Sequence, residues 1–171
     1  MGNTKRQRKK YETPRFYLSR PELDNELKLL GDYGLRNKRE LRRHHSMLSK
    51  YRTFARKLLA RTPEERHMLE KQILSKLIFL KVIAENSNLD NVLSSSIENI
   101  LDRRLQTQVF KKGLSKTLPQ ARQLINHGHI IIRGKKVTSP SYLVTSEEEQ
   151  NIKCTIPIMV EDKSTSEGGN A

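Results

Sequence analysis

The chain has 171 residues, 35% of them hydrophobic and only 5% aromatic, with no Trp, so any core must be small and aliphatic. Its formal net charge is +14 at pH 7, and a soluble chain this basic usually meets a polyanion, either nucleic acid or an acidic membrane surface. The single cysteine, Cys154, excludes an internal disulfide and a cysteine-rich zinc site.

The charge is uneven. Residues 1–144 carry 31 Lys and Arg against 13 Asp and Glu, whereas residues 145–171 carry 2 against 6. Residues 1–20 form a basic arm without apolar periodicity, containing Lys5, Arg6, Arg8, Lys9 and Lys10. Such an arm is either solvated or becomes ordered on a phosphate backbone. No apolar segment follows these charges, so a signal peptide is not expected. The apolar cluster LIFLKVIA is too short and too charged to span a bilayer, and the expectation is a soluble intracellular chain.

Residues 21–33 read as a short helix, with Pro21 in the first turn and Gly31 at the stop. Asn37 and Glu40 form a capping pair for a long helix whose buried stripe is Leu41, Leu48, Tyr51, Ala55 and Leu58. Arg39, Arg42, Arg43, Arg52, Arg56 and Lys57 fill much of its remaining surface, which calls for an anion beside it. Thr62, Pro63 and Glu65 start the next helix, which carries Leu69, Ile73, Leu77 and Leu80 and ends near Ala84. Residues 85–96 read as a polar connection and as the boundary between two regions.

Ser95 with Glu98 starts a helix with Ile97, Ile100, Leu101, Leu105 and Val109 on its apolar side and Gly113 at its stop. Thr117 caps a further helix whose Ala121, Leu124 and Ile125 share one face, and Gly128 takes its left-handed end. Strands at 129–133 and 135–138 flank Gly134-Lys135, a pair suited to a type II′ hairpin turn. Pro140 ends the hairpin, and a strand near 151–156 adds to the sheet. Residues 161–171 read as a disordered end. The fold class expected is α+β. Residues 1–94 form the arm and a helical region, and residues 95–160 form an αα-hairpin with a β-hairpin or short sheet.

No catalytic apparatus is visible. There is no glycine-rich phosphate loop, and the adjacent acids Glu147, Glu148 and Glu149 point in different directions and read as a solvated face. His44 and His45 diverge by about 100° on a helix. His127 and His129 lack a third ligand nearby, and Cys154 reads as a small buried apolar residue. No metal, cofactor or enzymatic activity is expected.

What remains is electrostatics. Arg103, Arg104, Lys111, Lys112, Lys116, Arg122, Arg133, Lys135 and Lys136 follow one another with no acid between the first and the last. Some have a blander reading: Lys111 and Lys112 at a helix C-terminus complement its dipole, and Lys135 and Lys136 solubilise an exposed hairpin. The whole run is harder to explain in that way. Rigid arginine forks and lysine point charges on helix ends and a hairpin tip suit A-form RNA, which is read by shape, phosphates and 2′-hydroxyls. The region offers only Phe110 and Tyr142 as aromatics, with Phe110 expected in the core, which disfavours single-strand stacking.

The stretch LDRRLQTQVFKKGLSKTLPQARQLINHGHIIIRGKKVTSPSYLV resembles the small RNA-binding domain named after ribosomal small-subunit protein four. KRQRKKYETP and YGLRNKREL resemble the N-terminal part of that family's archaeal and eukaryotic branch. The resemblance implies a structural, non-enzymatic component that binds small-subunit rRNA early in assembly, beside neighbouring ribosomal proteins in the cytoplasm. It also implies a place near the side where messenger RNA enters, and an influence on decoding accuracy. Its motif positions fall on Arg103, Arg104, Lys111, Lys112, Arg122, Gln123, His127, Gly128, His129 and Lys135. Zinc-holding cysteines of bacterial relatives have no counterpart here. The Ile-Arg-Gly hairpin in place of Val-Asn-Gly favours phosphate contact by Arg133. A transient assembly factor carrying the same module is the alternative. An RNA-modifying enzyme would need a catalytic domain for which this length leaves no room, and membrane binding is disfavoured because exposed aromatic anchors are lacking. Arg122→Ala is expected to weaken RNA binding without loss of fold.

Overall fold

The computed structural model describes residues 9–14 and 19–156. Helices α1 (Arg20–Asp32), α2 (Lys38–Leu59), α3 (Pro63–Phe79), α4 (Leu89–Ser94) and α5 (Ile97–Asp102) come first. Helices α6 (Leu105–Lys111) and α7 (Leu118–Asn126) follow, then strands β1 (Ile130–Ile132) and β2 (Lys135–Lys136), helix α8 (Ser146–Glu149) and strand β3 (Ile152–Cys154). The class is α+β, as expected. Lys5, Arg6, Arg8 and the 161–171 segment lie outside the described residues.

Helix α2 is the spine. Its stripe is buried at Leu41, Leu48, Ala55 and Leu58, and Tyr51 is half-buried. Leu48, Ala55 and Leu58 join Leu77, Val82, Leu89, Val92 and Ile100 in one core, while Leu41 packs with Leu35 and Leu101. The stretch 85–96 is therefore more than a polar connection: it contains α4, which pins Leu89 and Val92 under α2. The α3 helix stops at Phe79 rather than Ala84. Its Thr62 makes no side-chain cap, and Glu65 pairs with Arg61 instead. No helix among the described residues is long and apolar enough to cross a membrane.

A separate core joins α6, α7 and the sheet, through Leu105, Val109, Ala121, Leu124, Ile125, Ile130, Ile132, Val144 and Ile152. The antiparallel sheet has the order β2-β1-β3, with Ile132 opposite both Lys135 and Ile152. The period of two sends Ile130 and Ile132 into the core and leaves Ile131 half-buried. The hairpin turns at Arg133-Gly134, where both residues have positive φ (49° and 78°), so it is type I′ rather than II′ and is centred one residue earlier than expected. Phe110 is 40% exposed rather than in the core, and Cys154 is half-buried beside it.

The helix expected from Ser95 to Gly113 is broken at Arg103-Arg104, where Arg104 is extended (φ −67°, ψ 141°). The break follows from backbone accounting. The amides of Leu105 and Gln106 donate to the carbonyls of Tyr142 and Pro140, and that of Val144 donates to Arg103. The loop before α8 thus satisfies the groups that a continuous helix would have paired internally.

Gly34, not Gly31, ends α1. It holds φ +56° with its carbonyl bound by Gln106 Nε2 at 2.9 Å. A Cβ at this position would lie 2.7 Å from Leu118 Cβ. Gly34→Ala should therefore destabilise the protein by about 2–4 kcal/mol in urea unfolding, combining backbone strain with overpacking. Gly31→Ala, with open space around it, should change stability by about 1 kcal/mol or less.

Candidate nucleic-acid interface

The cations of the C-terminal region are not free of acids. Sequence adjacency hides their partners, which arrive from distant segments. Arg104 is fully buried (0% exposed). Its Nη2 donates to Glu40 Oε2 at 2.9 Å and its Nη1 to His44 Nε2 at 2.7 Å. Arg122 holds the other face of the same carboxylate, with Nη2 2.5 Å from Oε1 and Nη1 3.3 Å from Oε2. Asn37 caps α2 by accepting from the Glu40 amide, but the Glu40 side chain is diverted from the cap to the two arginines. The expected RNA contact at Arg104 is thereby corrected, and Arg122 is drawn into the fold. Arg104 has no exposed surface to offer a phosphate, and Arg122 is committed to an ion pair, so Arg122→Ala would cost stability as well as charge.

Arg103 is likewise engaged within the fold. It is buried, and its guanidinium donates to the Val144 carbonyl and to Glu149. Glu149 also takes Lys81, and the Lys112 ammonium meets the Glu149 carbonyl. Lys111 pairs with Asp102 at 2.9 Å, and Arg133 at the hairpin tip pairs with Glu147. The three glutamates of α8 are thus not simply a solvated face. Glu147 and Glu149 bind arginines, and Glu148 completes a capping box with Thr145 while accepting from Tyr142.

On α2, Arg42 bonds Glu26 and Arg52 donates to the Ser95 carbonyl, so both fasten neighbouring elements. Arg39, Arg43, Arg56 and Lys57 remain exposed, as do Lys9, Lys10, Lys116, Gln123, His127, Lys135 and Lys136; His129 is half-buried. None of the lysines and arginines in this group has an acidic partner among the described residues. The Gly128 turn sets the His127 and His129 ring centroids 6.1 Å apart at the base of the hairpin. The Glu40 clamp places the basic start of α2 against α7, so α2 and the hairpin unit present their open cations on one connected body. The arm joins this body through the Glu12 amide, which donates to Ser46 Oγ at 2.9 Å.

The clamp's electrostatics follow from its burial. Burial alone would raise the Glu40 carboxyl, but the Arg122 hydrogen bond and the Arg104 and Arg122 charges overcome it and hold the carboxyl below its usual range. Burial and the Arg104 charge push His44 down to about 4. A neutral imidazole is what the geometry requires, because Nε2 must accept from an arginine that cannot give up its proton.

The S4 domain family matches residues 103–149. Small ribosomal subunit protein uS4 of Ignicoccus hospitalis is 48% identical over 89% of this chain and 92% of that protein. The chain belongs to the uS4 family. Its uS4 relatives from Saccharolobus solfataricus (49% identical, 89% of this chain and 84% of the relative) and Hyperthermus butylicus (50%, 87% and 85%) match it over a similar span. The S4 match begins at the Arg103-Arg104 break, so the uS4 module starts where the chain leaves α5.

The sequence reading missed Glu40, His44, Gln106 and Lys81 as functional positions. Glu40 had a signal, being the only acid in the 22-residue α2. Glu40→Gln should leave the buried Arg104 charge poorly compensated and cost about 3–5 kcal/mol in urea unfolding. A second expectation concerns pH. The folded pKa of His44 lies below its unfolded value, so its contribution is complete above about 6.5 and is lost as pH falls toward about 4. Stability should fall by about 2 kcal/mol from pH 7 to pH 5 on this account. His44→Gln, whose amide oxygen can still accept from Arg104, should flatten that slope in pH-dependent denaturation.

Proposed function

We propose that this chain is a structural constituent of the small ribosomal subunit that binds small-subunit rRNA directly and carries out no catalysis of its own. The observation that carries this reading is the set of exposed, acid-free cations on α2, on the turn before α7 and on the hairpin, in a chain of the uS4 family. Rigid helices and a type I′ turn fix their spacing, which suits the phosphates and wide minor groove of A-form RNA. The contacts proposed are Arg39, Arg43, Arg56, Lys57, Lys116, Gln123, His127, His129, Lys135 and Lys136, with Lys9 and Lys10 of the arm. Arg133 joins them if it exchanges Glu147 for a phosphate, a step open to a side chain about half exposed. Binding early in assembly, a location in the cytoplasmic ribosome near the side where messenger RNA enters, and a contribution to decoding accuracy belong to the same proposal. They rest on the resemblance of the arm and module to the family.

Filter binding to a small-subunit rRNA transcript tests it. If six to ten phosphates are neutralised, affinity should fall about a thousandfold or more between about 50 and 200 mM salt, on the duplex-DNA scale. A flat salt response would overturn the reading. Sedimentation separates it from a transient factor: a constituent stays with mature subunits at one copy each, whereas a factor follows precursors.

A further inference from the structure

Four helices end in the same way. At Gly34, Lys81, Gly113 and Gly128 the backbone enters the left-handed region, with φ of 56°, 50°, 70° and 76°. At each, the last amides close back on the helix; at Lys81 its own N–H donates to Ile78 and that of Val82 to Leu77. Three of these ends use glycine, the residue this conformation favours, and the fourth uses a lysine. The Lys81 side chain is therefore kept against a backbone preference, and it is spent on Glu149, with Nζ 3.0 Å from Oε2.

The same oxygen accepts from Arg103 Nη1 and Nη2 at 3.2 and 3.3 Å, and Lys112 sits at the Glu149 carbonyl. Arg103 is 6% exposed and is anchored from behind by the Val144 carbonyl at 3.0 Å, so its guanidinium keeps its position without Glu149. The cations come from three places: the end of α3, the α5–α6 break and the end of α6. They meet beside a groove of about 1520 Å³ whose other walls mix apolar side chains such as Phe79 and Val82, polar ones such as Ser94 and Asn99, and the acids Glu85, Asp102 and Glu147. Glu149, by contrast, is the last residue of a four-residue helix, its side chain 28% exposed and able to rotate outward. The Lys81–Glu149 pair is partly exposed (51% and 28%) and so weak, and a phosphate offers more acceptor oxygens to the buried Arg103 and two lysines.

We infer that Lys81, Arg103 and Lys112 form a phosphate-binding position in this groove, which Glu149 holds as an internal counterion until an RNA phosphate displaces it. This rests on the rRNA-binding reading above. Lys81 and Arg103, already paired with the Glu149 carboxylate, release few counterions on binding RNA, so the carboxylate lowers both affinity and salt sensitivity in the free chain.

The test uses the full chain and a small-subunit rRNA transcript. Glu149→Gln should bind about threefold to tenfold tighter, with a log K against log salt slope steeper by about one. Adding Lys81→Gly should abolish that gain. Lys81→Gly alone suits the backbone, so its melting temperature should hold while RNA affinity falls about threefold to tenfold. A Glu149→Gln protein that binds no better overturns the inference. So does Lys81→Gly with unchanged RNA affinity, which decides the matter even if Glu149→Gln fails to fold. Salt-sensitive binding by the unmodified chain with either of these results sinks this inference alone; salt-insensitive binding by the unmodified chain overturns the rRNA reading as well.

Discussion

A single carboxylate, Glu40, gripped by Arg104 and Arg122, is the contact on which the arrangement of the molecule depends. It lies where α2 meets α7, and it is the acid in ion-pairing contact with a guanidinium that is wholly shielded from water. Arg104 could not be tolerated in that position without it, since an unpaired buried charge is far costlier than the pair is favourable. His44 and Gln106 complete the network. The imidazole accepts from Arg104, and the Gln106 amide links Gly34, Leu118 and Arg122. The polar network sits between two aliphatic cores and fixes their relative placement, which apolar packing alone would specify less sharply.

This division of labour changes how the basic composition should be understood. A formal charge of +14 suggests a surface covered in ligands for RNA. Much of the positive charge instead holds protein to protein. Arg42 fastens α1, Arg52 fastens the end of α4, and Arg103 fastens α8 and the loop before it. Arginine suits this internal work because its fork can bind a carboxylate and a carbonyl together and its charge is permanent. The lysines of the module, on shorter leashes to solvent, are mostly left outside.

How much was legible depended on the range of each signal. The stripe of α2, the Thr117 cap, the Gly128 turn and the third strand rest on patterns within a few residues, and all appear in the structure. The break at Arg103-Arg104 was invisible because the carbonyls that replace helical partners come from residues 140 and 142. The turn type was misread because Arg133, an unfavourable residue for positive φ, adopts it in place of the Gly-first pattern. Helix α4 was hidden by its short length and polar flanks, although Leu89 and Val92 carry the spacing of one helical turn. The interface was half legible: residue types pointed to cations, but which of them stay free depends on acids up to 82 residues away.

That separation also bears on the order in which the molecule can form. The partners of Glu40 lie 64 and 82 residues downstream, so Glu40 is synthesised well before the groups that neutralise it. Closing so long a loop is entropically slow, and it gathers α7 onto α2. Until Arg104 and Arg122 have been made, the basic helix α2 has no partners for Glu40. Such a chain benefits from rapid engagement by whatever polyanion is nearby, and a delay in supplying Arg122 would leave it prone to the wrong one.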